Sequence, residues 1–184
     1  ASDSGGRAFS GELRARAANG QIFLLDGEGR EMFCGRDIHL LPGRRNASFT
    51  VHDVVIGIAF HWQRTQEQSF RGSLKLSLAQ ADALHAINVV GLEEYLASVI
   101  SSEMAAGAPL EFLKAQAVTA RSWLWAMRER KKAPRAAQIR TDDEIAVWQD
   151  ANDHEGFDVC ADDHCQRYQG ITRIISENVA RAID

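Results

Sequence analysis

Residues 91–104 read GLEEYLASVISSEM, and here a β-rich chain becomes helical. Leu92, Leu96 and Val99 recur at steps of four and three, which is the spacing of one face of an α-helix. The next step of four reaches Glu103, so the pattern predicts its carboxyl beside the core and partly withdrawn from water. The negative end of the helix dipole also disfavours a negative charge there. Both effects favour a protonated glutamate, the form that a general acid requires.

A second, longer helix is predicted by PLEFLKAQAVTARSWLWAMRERKK at residues 109–132. Lys114 and Arg121 fall on one of its faces, and Gln116 lies to one side. All three are candidates to hold a sugar or to stabilise charge beside Glu103. The alternative is that Glu103 is a helix-end residue in a structural ion pair with a lysine or an arginine, since such pairs also perturb ionisation.

The first half of the chain has the pattern of β-strands. Residues 22–25 lead into the turn signal DGEG, and residues 70–78 alternate between apolar and polar with the period of a half-buried strand. Residues 54–60, VVIGIAF, are apolar and rich in β-branched side chains, which predicts a buried strand. Past the helices we predict two short strands and a terminal helix, at residues 157–159, 168–175 and 176–184.

The combined prediction is an α+β fold, with a β-rich N-terminal half (residues 1–90) packed against a helical unit (residues 91–184) that carries a cysteine-containing loop. With 45% hydrophobic and 25% charged residues, the composition is that of an ordinary globular protein. The net charge of −4 provides no basic surface for nucleic acid. The sequence contains no apolar run near the roughly 18 residues that a transmembrane helix needs.

Trp62 follows the apolar run of residues 54–60, and two roles are open for it. An indole ring provides a flat apolar face on which a sugar can stack. The position after a buried strand more commonly places a tryptophan in the core. The first role would concern the functional site, whereas the second would concern only the fold.

Four potential metal ligands fall within twelve residues: His154, Cys160, His164 and Cys165. Zinc binds cysteine and histidine in tetrahedral sites, and three of these residues, with or without a water, would suffice. A Cys160–Cys165 disulfide, which an exported protein permits, and free thiols are the alternatives. Cys34 lies far away in sequence and is most simply a buried thiol. The spacing matches no common zinc-finger pattern, so the residues alone leave the three alternatives open.

Three segments carry a family resemblance. Residues 91–104 are similar to a "LEEYL…V…SEM" segment, residues 110–122 to "LeaLKAQAVaARt", and residues 157–170 to "D.C…HCQ.Y.G". In this order and spacing, they resemble the SpoIID/LytB family of cell-wall proteins, which includes stage II sporulation protein D and amidase enhancer domains. The resemblance covers roughly residues 50–175.

The resemblance implies that Glu103 is catalytic and that Lys114, Gln116 and Arg121 belong to the same site. SpoIID proteins are lytic transglycosylases that cut peptidoglycan glycan strands lacking peptide stems, whereas LytB relatives enhance a cell-wall amidase. Two functions are therefore expected for this chain. One is cleavage of glycan strands, and the other is non-catalytic wall binding that stimulates an N-acetylmuramoyl-L-alanine amidase. Either function implies an exported protein of the periplasm or cell wall.

The same resemblance implies a structural zinc ion held by His154, Cys160 and Cys165, because some SpoIID proteins bind zinc with a histidine and two cysteines in this segment. His164 is the weaker candidate, since a residue adjacent to Cys165 tends to point elsewhere. A zinc ion here would tie the loop to the catalytic helices.

Relatives usually continue past the third segment into a glycine-rich stretch that contributes to the same cleft. A chain that stops at Asp184 is therefore expected to hold an incomplete domain. A fragment that is inactive until its missing C-terminal part joins it is a third possibility. The family's usual proline after "SEM" is replaced by Ala105.

Overall fold

The protein has an α+β architecture in its computed structural model, as the sequence predicts. The structure describes residues 8–44, 46–80, 82–105, 107–132, 154–173 and 175–184. They fall into two compact units, Ala1–Val51 with Ser69–Gly91, and His52–Gln68 with Leu92–Asp184. The elements in chain order are β1 (Leu13–Ala18), β2 (Gln21–Asp26), β3 (Glu31–Gly35), β4 (Asp37–Leu40), β5 (Ser48–Ile56), β6 (Arg64–Arg71), β7 (Ser73–Leu78), β8 (Leu84–Val89), α1 (Leu92–Glu103), α2 (Leu110–Lys132) and α3 (Glu177–Ile183).

The first unit is built from two small antiparallel sheets, with strand orders β1-β2-β3 and β4-β7-β8. Its core consists of Ile22, Leu24, Ile38 and Leu76, all at most 5% exposed. In β2 the two buried residues alternate with side chains that are only partly buried, which is the period of a strand with one face on the core. The turn signal after residues 22–25 ends β2 as predicted.

The alternating run at residues 70–78, predicted as one strand, is divided between β6 and β7. Gly72 separates them with a φ of +83°, a conformation that glycine adopts without a steric penalty. A Cβ at this position would meet the backbone carbonyl of Val89 on the neighbouring strand. The alternation continues across the break because Phe70 and Leu76 are both buried.

The prediction of a buried strand over residues 54–60 is wrong. Strand β5 ends at Ile56, and the chain turns at Gly57 (φ +67°) to begin the β5–β6 hairpin loop. Val55, Ile58 and Phe60 are 43%, 57% and 53% exposed. Apolar composition cannot tell a covered strand from an apolar hairpin tip, because periodicity carries no information about what lies on either side.

The helices of the second unit match the sequence pattern closely. α1 begins at Leu92 and ends at Glu103, and α2 runs from Leu110 to Lys132 directly after Pro109. α3 is capped by Ser176, whose hydroxyl accepts a hydrogen bond from the Val179 backbone N–H. The helices share a core whose buried residues are Ala97, Ile100, Leu113, Ala117, Val179 and Ala182.

The two short strands predicted after the helices are absent from the described residues between 154 and 175. Residues 154–173, which we call the turn segment, instead form successive turns closed by bonds such as Tyr168 N to Ala161 O at 3.1 Å. Their backbone donors find partners within the segment and on the helices, so no neighbouring strand is needed. Residues 133–153, which are rich in acidic side chains from Asp142 onward, are not among the described residues.

Candidate functional site

Glu103 is the last residue of α1, and its carboxyl is held by two hydrogen-bond donors. The Gln116 side-chain amide donates to Oε2 at 2.9 Å, and the Arg167 backbone N–H donates to Oε1 at 3.2 Å. The prediction that Glu103 is withdrawn from water is wrong, because the buried face of α1 ends at Ser101 and Glu103 is exposed. Among the described residues, its partners are neutral donors and not the lysine or arginine of the ion-pair alternative.

The structure does not place the two predicted basic partners on this carboxyl. Lys114 Nζ donates to Glu111 Oε1 at 2.9 Å, one turn earlier on the same helix. Arg121 pairs with Glu93 in the first turn of α1 and donates to the Ile183 carbonyl oxygen at 3.4 Å. Of the three residues predicted beside Glu103, only Gln116 bonds to it.

Two stacked tyrosines join α1 to the turn segment. The rings of Tyr95 and Tyr168 lie 5.2 Å apart, and the Tyr95 hydroxyl donates to Gln166 Oε1 at 3.0 Å. Burial raises the pKa of both phenols above their ordinary value of 10.0, because the charged form would lose its hydration. The Tyr95 hydroxyl therefore stays protonated well into the alkaline range and keeps its hydrogen bond to Gln166.

Further hydrogen bonds from the turn segment to the helices fix the position of Arg167. Gln169 N–H donates to Ser98 Oγ at 3.1 Å, and Gln166 Nε2 donates to a backbone carbonyl of α2 at 3.4 Å. Arg167 lies between these anchors, so its backbone N–H is held at Glu103. The sequence does not predict this contact, because the donor is a backbone N–H, which does not depend on the type of residue.

An open cleft of about 370 Å³ lies between the tip of the β5–β6 hairpin and the turn segment, entirely within the second unit. We call it the hairpin cleft. Trp62 lies in its wall, half-buried, stacked on Phe60 at 5.4 Å and covered on one side by the Arg167 guanidinium at 5.6 Å. The residues that line the hairpin cleft include Ile56, Trp62, Arg64, Arg167, Tyr168 and Arg173.

His154, Cys160, His164 and Cys165 form one cluster, with ligand atoms all within 4.8 Å of one another. His154 Nε2 lies 3.0 Å from Cys165 Sγ, and His164 Nδ1 lies 3.9 and 3.6 Å from the sulfur atoms of Cys160 and Cys165. The expectation that His164 points elsewhere is therefore wrong. The turn between Asp162 and Cys165 brings its ring back towards the sulfurs. This His/Cys group could bind a metal ion.

The cysteines of the cluster are free thiols in the structure, as is Cys34, and the disulfide alternative is not formed. Burial raises the pKa of the Cys165 thiol to about 11. A bound metal ion would reverse this preference, because a coordinating thiol is deprotonated. Lys131 near the end of α2 donates to the carbonyl oxygens of Phe157 and Asp158, which fastens the cluster's loop to that helix.

Comparison with known proteins places the chain in a family. The family model described as "SpoIID: Stage II sporulation protein" matches residues 80–184, which is more than half of the chain. The chain belongs to the SpoIID family. No curated protein and no solved structure matches it.

The SpoIID match supports a protein related to sporulation and the cell wall. It includes Glu103, Gln116, Arg167 and the His/Cys cluster. The hairpin at residues 52–68, which supplies one wall of the cleft, precedes the matched residues. In the part of the chain that the structure describes, none of the helices combines the length and apolar character that a membrane crossing requires.

Proposed function

We propose that this protein is a lytic transglycosylase that cleaves peptidoglycan glycan strands, with Glu103 acting first as acid and then as base. The observation that carries the proposal is the geometry of Glu103. It is a single exposed carboxyl whose two oxygens are each held by one neutral donor, and the residue that supplies one of these donors, Arg167, also lines the hairpin cleft. A carboxyl that is oriented but accessible is what proton transfer to a bound substrate requires.

The reaction needs only one carboxyl. Glu103 donates its proton to the glycosidic oxygen that leaves C1 of the muramic acid sugar. The C6 hydroxyl of the same sugar attacks C1, and the Glu103 carboxylate takes the proton of that hydroxyl. The product carries a 1,6-anhydro ring and Glu103 ends protonated. Because the nucleophile is tethered to the reacting sugar, neither the second carboxylate nor the water of ordinary glycosidases is required.

The two hydrogen-bond donors to Glu103 position its carboxyl for proton transfer. Gln116 holds Oε2 and the Arg167 N–H holds Oε1, so the plane of the group is fixed before substrate binds. Preorganisation of this kind lowers the cost of reaching the transition state. The family resemblance adds Lys114 and Arg121 to the substrate site, and we propose Lys114 as a substrate contact on that ground, since its side chain is exposed.

The second candidate is a non-catalytic wall-binding protein that enhances an amidase, like LytB relatives. The pairing of Lys114 with Glu111 and of Arg121 with Glu93 favours it, because neither cation is placed to stabilise charge at Glu103. Both candidates act on peptidoglycan, so both call for an exported protein in the periplasm or cell wall.

For the His/Cys cluster we propose a structural zinc ion, bound by His154, Cys160 and Cys165 with His164 as the fourth ligand. Two thiolates and two imidazoles are a ligand set that structural zinc sites use. In the sequence, the cluster is adjacent to the residues whose hydrogen bonds attach the turn segment to α1 and α2. The ion would stabilise the turn segment and so the position of Arg167.

A digest of purified, peptide-free glycan separates the two candidates. The transglycosylase predicts soluble fragments that end in 1,6-anhydro-muramic acid, detected by mass spectrometry without added amidase. The enhancer predicts no such fragments, together with a higher rate of stem-peptide release when the protein is added to a wall amidase. Absence of anhydro ends at high protein concentration would refute the proposed enzymatic function.

A further inference from the structure

We propose that the hairpin cleft is a subsite for the free lactyl carboxylates of the glycan, and that Arg64 and Arg173 are the residues that select them. This inference rests on the proposed function, since it takes peptidoglycan glycan as the ligand that reaches Glu103. The hairpin cleft would recognise a charged group of the glycan, and Glu103 would carry out the cleavage.

The residues that line the cleft carry more positive than negative charge. Arg64, Arg167 and Arg173 line it, against one lining carboxylate, that of Asp162. The Asp162 carboxylate accepts a hydrogen bond from the Asp163 backbone N–H at 2.9 Å. A cavity with three guanidinium groups and one carboxylate attracts anions although the chain as a whole carries a net charge of −4.

The three arginines differ in what they already bind. Arg167 is neutralised by Asp163, with its Nε and Nη2 each 2.9 Å from a carboxylate oxygen. Arg173 donates Nε to the neutral Gln169 Oε1 at 2.7 Å, a bond that holds the side chain without cancelling its charge. Arg64 is exposed at the first position of β6, and no ion pair joins it to any residue that the structure describes. Arg64 and Arg173 therefore carry the uncompensated charge.

The hairpin side of the cleft also carries apolar and aromatic groups. Trp62 and Ile56 line it together with Arg64, and the hairpin turn is tightly packed, since a Cβ on Gly57 would collide with the Trp62 ring. Sugar rings stack their C–H faces on indole rings, and carboxylates form bidentate pairs with guanidinium groups. Groups of both kinds around one open space suit a sugar that bears a carboxylate.

The cleft adjoins the proposed catalytic carboxyl through one residue. Arg167 donates its backbone N–H to Glu103 Oε1 at 3.2 Å, while its guanidinium lies over the Trp62 ring. Arg167 therefore links the cleft to Glu103, and a glycan long enough to extend past Arg167 would reach both. The lactyl group of muramic acid is a neutral amide where a peptide stem is attached and a carboxylate where the stem is gone. The arginines would distinguish the two.

The test uses the disaccharide N-acetylglucosaminyl-N-acetylmuramic acid, which lacks the bond that a transglycosylase cuts, and the same sugar with its lactyl carboxyl converted to a methylamide. Calorimetry on the full chain is expected to show about tenfold tighter binding of the acid than of the amide, because hydrogen bonds between charged groups outweigh neutral ones. The preference is expected to shrink with added salt, which screens the charges.

The double variant Arg64→Gln/Arg173→Gln is expected to bind both sugars equally, while Arg14→Gln/Arg181→Gln, a charge-matched control at exposed positions of β1 and α3, keeps the preference. Equal binding of acid and amide by the unaltered protein would overturn the inference, and so would no binding of either sugar or a preference that survives in the double variant. Because the sugar is not cleaved, these results are independent of the digest. A protein that prefers the acid but releases no anhydro ends would refute the enzymatic function alone.

Discussion

The carboxyl of Glu103 is held by donors of two kinds, and only one of them can be removed by substitution. The Arg167 donor belongs to the backbone, whereas the Gln116 donor is a side-chain amide. A change at Gln116 therefore tests whether orientation of the carboxyl matters while leaving one hydrogen bond in place. Gln116 acts through Glu103 and is a positioning residue in this account.

Gln116→Ala is expected to lower kcat for anhydro-end release about tenfold, the equivalent of about 1.4 kcal/mol. KM should stay unchanged, because Gln116 holds the catalytic group and not the sugar. The melting temperature should change little, since the lost bond is at an exposed site. Gln80→Ala, a truncation of an exposed glutamine in the first unit, is the control. A fall in melting temperature that accounts for the whole loss of rate would contradict the positioning role.

The pKa values of Tyr95 and Tyr168, raised by burial, predict how stability depends on pH. The unfolded chain loses its phenol protons near pH 10.0, while the folded chain keeps them to higher pH, so stability is full below that pH and falls as pH rises above it. The loss is expected to be at most about 1.4 kcal/mol per pH unit for each tyrosine.

These are the only two tyrosines of the chain, so Tyr95→Phe/Tyr168→Phe removes every phenol. Urea unfolding at roughly pH 8 to 11 is expected to show a shallower decline for this variant than for the unaltered protein. Equal slopes would mean that neither ring is buried as described.

For single residues, the sequence predicts which ones are candidates for the site better than it predicts their burial and their partners. Glu103 and Gln116 are found together, as the family resemblance implies, but Glu103 is exposed, because the buried stripe of α1 stops before the final residue. Arg121 is on the predicted helix but pairs with Glu93. A partner that belongs to another element depends on helix crossing, which spacing within one helix does not encode.

Among the elements, the turn segment depends most on contacts that sequence patterns do not show. α1, α2 and α3 were predictable because apolar spacing, Pro109 and the Ser176 cap are local signals. The turn segment has short apolar runs that resemble strands, but its backbone donors bond to side chains of the helices. Only the folded chain shows that its four potential ligand residues converge.

Zinc addition is expected to raise the melting temperature of the metal-free protein, and chelation should reverse the rise, because an ion that binds only the folded chain stabilises it. Cys160→Ser and Cys165→Ser should each abolish the effect, and Cys34→Ser, which removes a thiol in the first unit, should not. His164→Ala should weaken the response if this ring is a ligand. The same response to zinc in the Cys160→Ser/Cys165→Ser double variant would refute the site.

Considered as a whole molecule, the chain divides into a unit of sheets and a unit that holds the proposed site and the His/Cys cluster. The second unit takes in residues 52–68, a hairpin from the β-rich half, together with the helices and the turn segment. The sequence places the change from strand to helix at Gly91 correctly, but it cannot reveal that an earlier hairpin contributes to the later unit. A contact that joins this hairpin to the turn segment is that of the Arg167 guanidinium with the Trp62 ring, at 5.6 Å.

The central claim is that the carboxyl of Glu103 cleaves glycan. Its most direct test is the rate at which 1,6-anhydro-muramic ends form from peptide-free glycan with the unaltered protein, Glu103→Gln and Glu129→Gln. Glu129, exposed and paired with Lys132 at the end of α2, provides the charge-matched control. We expect Glu129→Gln to retain the rate and Glu103→Gln to lose at least 99% of it, as removal of a general acid costs roughly a hundredfold or more. Anhydro ends released by Glu103→Gln at the unaltered rate would contradict the account.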